Sequence, residues 1–136
     1  MNVRTLLTFT LSAILLAGCG YDSAEHEVLR RVTSPDGKHQ ADLVQFFGGG
    51  PVIGVFDEVY VHPVGAMPDF GHRVFSSECA HNIGLTWRGP RLLQIDYDIA
   101  VEERKMVSDG APWWRISSPD TAVVLKPRLH RGGCSG

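Results

Sequence analysis

The chain has 136 residues, with 13 Lys+Arg against 15 Asp+Glu and a formal charge of −2. A pI near 6.3 excludes a strong electrostatic case for nucleic acid, and a hydrophobic fraction of 43% excludes a disordered chain. Fifteen Gly and eight Pro cut the chain into short segments, which excludes a coiled coil and fits one small domain.

Met1–Thr5 carries one base, Arg4, and no acid. Leu6–Leu16 follows as an eleven-residue, largely apolar run. As a helix it would span about 16 Å at roughly 1.5 Å per residue. The hydrocarbon core is about 30 Å thick, so the run reads as a signal-peptide segment and not as a membrane span. Leu16-Ala17-Gly18-Cys19 comes next and resembles the lipobox of bacterial lipoproteins. The resemblance implies cleavage between Gly18 and Cys19, a diacylglyceryl group on the Cys19 thiol, and acylation of the new amine. Several acyl chains make a stable anchor where one does not. Gly20 stands where the inner-membrane retention signal has Asp, so the resemblance favours the periplasmic face of an outer membrane. Residues 1–18 are expected to be signal peptide, 19–27 the lipidated cysteine and a polar tether, and 28–136 a single small β domain. Cleavage removes Arg4 and no acid, which moves the charge from −2 to −3.

Of the three cysteines, acylation of Cys19 leaves Cys79 and Cys134. Two thiols in an oxidising compartment usually pair, so a Cys79–Cys134 disulfide is expected. The alternative is a reactive or metal-binding thiol pair, but the spacing resembles no zinc knuckle.

The body of the chain predicts an all-β fold of about six to eight short strands, an antiparallel meander, sandwich or open barrel. Val28–Ser34 runs into Ser34-Pro35-Asp36-Gly37, where Pro presets φ and Gly supplies φ > 0. Lys38–Phe47 completes a hairpin, with Ala41, Leu43, Gln45 and Phe47 on one face. Gly48-Gly49-Gly50-Pro51 breaks the chain before a strand over Val52–His62. Val64–His72 reads as a loop and Arg73–Ser77 as a short strand. Ile83, Leu85 and Trp87 alternate with Gly84, Thr86 and Arg88. After a turn at Arg88–Arg91, Leu93, Ile95, Tyr97, Ile99 and Val101 alternate with Gln94, Asp96, Asp98 and Ala100, a half-buried strand. Residues 101–109 read as a charged loop. Trp113–Ser117 and Thr121–Pro127 are further strands, and Arg128–Gly136 reads as a basic, Gly-rich tail.

Ser34-Pro35-Asp36-Gly37-Lys38, Gly48-Gly49-Gly50, Glu58-Val59-Tyr60-Val61-His62-Pro63, and Trp87 followed by Leu92-Leu93-Gln94-Ile95-Asp96-Tyr97 stand in that order. The set is similar to the pattern of a group of small bacterial envelope proteins with no established activity. The likeness runs from about Val32 to Pro127. It departs at Gly50-Pro51-Val52-Ile53, where that group has Ala-Thr-Thr. The hairpin and the Trp-containing strand also resemble pieces of propeller blades, but the mature chain is too short for about four blades of four strands.

Gly48–Gly50 lacks the Gly-Lys-[Ser/Thr] of a phosphate loop and reads as a connection. Six histidines (His26, His39, His62, His72, His81 and His130) show no ligand spacing. They are expected at the surface, although His62, His72 and His81 flank one strand-loop-strand unit and could converge in space. Asp96 and Asp98 share the solvated face of their strand. Ser76, Ser77 and Cys79 lack a nucleophile context. Trp113-Trp114 puts indoles on opposite faces of one strand, one of them suited to a sugar, lipid or protein surface. Lys126, Arg128, His130 and Arg131 form either a soluble basic tail or a contact to anionic headgroups. No catalytic, cofactor or metal residue is assigned. The expectation is a non-enzymatic, lipid-anchored module that meets the membrane through Cys19 and acts by protein or ligand contact, with an envelope protein as the candidate partner. The alternatives are a lipid- or glycan-binding module using Trp113 or Trp114, and a metal-dependent hydrolase.

Overall fold

The computed structural model describes residues 25–47, 55–100, 113–114, 117–118 and 120–131, with backbone alone at 113–114 and 117–118. Cys19, Gly48–Gly50, Cys134 and the signal segment lie outside the described residues.

Among the described residues nine strands form two sheets, and neither closes into a barrel. They are β1 (His26–Thr33), β2 (His39–Phe47), β3 (Val55–Pro63), β4 (Arg73–Ser77), β5 (His81–Gly89), β6 (Leu92–Ala100), β7 (Trp113–Trp114), β8 (Ser117–Ser118) and β9 (Thr121–His130). The first sheet has the order β1-β2-β3-β4-β7, and the second β5-β6-β9-β8. The all-β architecture agrees with the sequence patterning.

The Ser34–Gly37 hairpin forms for the reasons given by its residues. Gly37 has φ +71°, and its N–H donates to Ser34 O at 2.9 Å. The Ser34 hydroxyl donates to Asp36 at 2.6 Å and accepts from His39 N–H at 3.0 Å. The alternation in β6 is realised from Leu93 to Ile99: Leu93, Ile95, Tyr97 and Ile99 are buried, and Gln94, Asp96 and Asp98 are partly exposed, whereas Ala100, expected on the solvated face, is buried as well and Val101 lies outside the described residues. Those four join Ile83, Leu85 and Val123 of the second sheet and Ala41, Leu43, Val59, Val61, Val74 and Phe75 of the first in one core. Trp87 spans the two layers, its indole N–H donating to Val32 O at 3.1 Å.

Three expectations are corrected. Gln45 and Phe47 do not extend the core face of Ala41 and Leu43: Gln45 donates to Asp57 at 3.1 Å, and Phe47 is exposed at the strand end. Trp113–Ser117 is not one strand. Trp113 and Trp114 pair with β4 in the first sheet, whereas Ser117 and Ser118 pair with β9 in the second. Finally, β9 does not stop at Pro127. It continues through Arg128–His130 and runs parallel to β6, with Asp98 opposite Arg128 and Ala100 opposite His130. Parallel neighbours need a crossover of a dozen or more residues, and the chain between β6 and β9 visits the first sheet at β7. Pro127 is tolerated because β8 pairs β9 only at Thr121 and Ala122, so Pro127 lies on an open edge among the described residues.

Ile95 is fully buried at the centre of the second sheet. Ile95→Ala is expected to lower unfolding stability by about 2–5 kcal/mol, measured by urea denaturation of the purified domain.

Candidate functional site

The central strands β2 and β3 of the first sheet are buried on both faces. Val59 and Val61 point into the core, so Glu58, Tyr60 and His62 share the opposite face of β3. Register places Asp42 beside Tyr60, Gln40 beside His62 and Val44 beside Glu58. Val44, Phe46 and Tyr60 form a second apolar cluster on this outer face, and around it stand the buried polar residues Asp42, Glu58 and His62.

Asp42 is 0% exposed and collects donors from three strands. Arg31 of β1 donates Nε and Nη2 to its two oxygens, both at 3.0 Å. Gln40 donates at 3.1 Å. His62 Nε2 lies 3.2 Å from Asp42 Oδ2, and His62 Nδ1 lies 3.0 Å from Pro63 O. Both partners of the imidazole only accept, so both ring nitrogens donate and the geometry suits the imidazolium. Burial acts most strongly on each group and opposes its charge. The hydrogen bonds from His62 and Arg31 outweigh it and lower the Asp42 pKa to about 2. For His62, the bonds to Asp42 and Pro63 O outweigh burial and raise the pKa above its ordinary 6.5.

A second charged cluster lies alongside. Glu58 accepts from the Tyr60 hydroxyl, from Arg73 Nη1 at 2.8 Å and from the Ser76 hydroxyl at 3.0 Å. Both clusters hold the loop that joins β3 to β4. His62 holds the carbonyl of Pro63, where the loop leaves β3. Arg73 begins β4 and places its guanidinium 5.7 Å from the centre of the Phe70 ring. Within the loop, Phe70–His72 is one 3-10 turn capped by Asp69. A Cβ at Gly71 would fall 2.9 Å from Asp69 Oδ1, so a larger residue there would push the exposed Asp69 side chain off its cap. The His72 ring stands edge-on to His62, 6.3 Å between centres. Three large apolar side chains of this loop face solvent: Val64, Met67 and Phe70, with Met67 67% exposed.

The sequence-derived candidates distribute as follows. His62 is 2% exposed, against the expectation of a surface histidine. The buried carboxylate of Asp42, twenty positions away in the chain, makes that burial tolerable. His62 meets His72 but not His81, which starts β5 at the other end of the sandwich. Among the described residues, no three His, Cys, Asp or Glu are placed to hold a metal ion. Asp96 accepts from Gln94. Asp98 accepts from Asn82 and Arg128, both at 2.6 Å. The Ser77 hydroxyl accepts from the Cys79 and Ala80 N–H groups, which sets the turn between the sheets. The indoles of Trp113 and Trp114 lie outside the described side chains. Asp42, Glu58, Tyr60 and Arg73 were not anticipated as a cluster. The available signal was Glu58-Val59-Tyr60-Val61-His62, in which two inward valines force the three polar residues onto one face.

Comparison with protein-family models, with curated proteins and with solved structures finds no match.

The linkage has a definite sign. The depressed Asp42 pKa contributes stability that is present above its ordinary 3.8 and lost as pH falls toward about 2. The raised His62 pKa contributes stability that is full below 6.5 and lost as pH rises through the raised value. Thermal unfolding followed across pH is expected to show a decline above pH 6.5 in the native chain. The alkaline decline should flatten in both His62→Gln and Asp42→Asn, and Asp42→Ala should cost about 3 kcal/mol or more by leaving a buried cation unpaired.

Proposed function

We propose that the protein is a lipid-anchored envelope protein, seated on the membrane through acyl chains on Cys19, that acts by contact with an envelope partner and not by catalysis. The exposed apolar loop Val64–His72 carries the contact half of this reading. Its Val64, Met67 and Phe70 face solvent, while the charged groups beneath it are spent on one another. Asp42 is neutralised by Arg31 and His62, and Glu58 by Arg73. Carboxylates engaged in this way position a loop; they are not poised as general acid or base. Exposed aromatic and Met side chains are the composition of contact surfaces. The lipobox at Leu16–Cys19 carries the anchor half, and the ordered motifs from Val32 to Pro127 support kinship with small envelope proteins.

A Cys79–Cys134 disulfide belongs to the same proposal. The bridged state of Cys79 supports it, as does the position of this residue in the turn between the sheets, at the end where β9 finishes. Such a bridge would close a loop of roughly 56 residues and contribute up to about 4 kcal/mol. Non-reducing peptide mass mapping of membrane-extracted protein tests both covalent claims. An acylated peptide beginning at Cys19 and a linked Cys79–Cys134 peptide are expected; an unmodified Cys19 or two alkylatable thiols would refute the respective claim.

The contact surface is tested by a photoreactive amino acid placed at Met67 in living cells. A discrete cross-linked adduct is expected from Met67 and none from exposed Arg91 at the same end. The adduct should disappear with Phe70→Ser. No adduct from Met67 would remove the loop as the contact surface.

A further inference from the structure

The two ends of the sandwich differ, and the anchor reading gives the difference a meaning. β1 starts at His26, level with Phe46 and Phe56. β4 finishes at this same end, where Ser77 pairs with Asp57. The Ser77 turn then delivers His81 to the start of β5 here, and β6 and β9 both finish here, Ala100 beside His130. The contact loop lies at the other end, where Val64 N–H donates to Lys38 O beyond the hairpin.

His26 is seven residues from Cys19, a reach of at most about 24 Å even fully extended. The eight residues of β1 alone span about 26 Å. The connection is too short to run the length of the strand and the loop beyond it. An acylated Cys19 therefore keeps the His26 end within about 24 Å of the bilayer, too close for the molecule to stand on its Val64–His72 loop.

The surface at the near end fits that position. Val28, Leu29, Phe47 and Val55 are exposed on the first sheet, and Leu129 is 44% exposed on the second. Beside Leu129 opens a cleft of about 540 Å³ lined by His81, Asn82, Asp98, Arg128 and His130. Arg128 Nε binds Asp98, and Arg128 Nη2 lies 3.3 Å from Asn82 O. Asp98 is also held by Asn82, whose left-handed backbone at φ 50° turns its side chain to that task. Arg128 is thereby fixed in direction, with its Nη1 edge unpartnered among the described residues and His81 and His130 lining the same cleft. Arg131 follows. Glu25, Glu27 and Glu78 share this end of the molecule, so it is not a uniformly basic patch. It joins apolar side chains to a cleft in which Asp98 holds one guanidinium edge in a fixed direction, a pairing that suits an acyl–headgroup boundary.

We infer that this end of the sandwich rests on the bilayer, and that the Arg128 cleft receives the phosphate of a glycerophospholipid headgroup while Leu129 and the apolar rim of the first sheet meet the acyl boundary. The inference rests on the proposed anchor.

Hydrogen exchange of the full-length acylated protein tests it, comparing proteoliposomes of phosphatidylethanolamine and phosphatidylglycerol with the same protein in nonionic detergent. Exchange across residues 126–131 is expected to slow by about tenfold in the vesicles, while residues 64–70 keep the same rate in both. The double variant Arg128→Gln with Leu129→Ser alters two exposed side chains and should cancel the slowing without changing exchange in the β6 core. Equal rates at 126–131 in vesicles and detergent, with the anchor intact, would overturn the inference alone. So would slowing at 64–70 in the vesicles, or slowing at 126–131 produced in detergent by inorganic phosphate or by a co-purifying protein. Failure of the chain to carry acyl groups would overturn the anchor and this inference together.

Discussion

The first sheet depends on one buried carboxylate. β2 and β3 are its central strands, and their inward faces are committed to the sandwich core. Their outward faces are also buried, so the residues there have no water to solvate them. Val44, Phe46 and Tyr60 meet that condition with apolar surface. Asp42 meets it by gathering Arg31, Gln40 and His62 from β1, β2 and β3. An unpaired carboxylate in that position would cost several kcal/mol. Paired, it ties three strands at one level and determines which protonation state His62 holds. The Glu58 cluster repeats the arrangement toward β4, through Arg73 and Ser76. The charges on this face thus specify strand neighbours, a task that apolar contact alone does loosely.

The same bonds reach the loop. Its first residue follows Pro63, whose carbonyl His62 holds, and it ends at Arg73, which Glu58 holds. Between them, Asp69 and His72 close a short turn on each other. The exposed Val64, Met67 and Phe70 are therefore carried on a loop clamped at both ends and capped near its close. Such a loop presents apolar groups in one arrangement, which lowers the ordering cost of any contact they make.

Where local pattern decides the structure, the sequence was legible. The alternation of β6 needs only its own residues and one buried face. The Ser34–Gly37 hairpin needs only a residue that accepts φ > 0 and a hydroxyl to close the turn. The partner of β9 was not legible, because a strand pattern records which face is buried and not which neighbour supplies the hydrogen bonds. Arg128–His130 looked like a tail because its side chains are polar or exposed. They are exposed on a strand whose backbone is nonetheless paired to β6. Trp113–Ser117 looked continuous because nothing local marks the passage from one sheet to the other. His62 looked like a surface residue because its burial depends on Asp42, a long-range partner that is itself hidden between Ala41 and Leu43.

Parallel pairing of β6 with β9 has a consequence that an antiparallel meander would not have. In a meander the chain would reach its last strand running opposite to β6, and the residues after Leu125 would finish at the hairpin end, beside the apolar loop. The crossover through the first sheet reverses that. It brings Arg128, Leu129 and His130 to the end where β1 begins, level with Asp98 and Ala100. Asp98 then fixes Arg128 from the neighbouring strand, and Asn82 of β5 fixes Asp98. One change in strand direction thus gathers three strand ends of the second sheet at the start of the domain and leaves the clamped loop at its far end. The separation of an apolar-rimmed end that bears the fixed Arg128 from an apolar loop is a product of topology, and no single segment of the chain contains it.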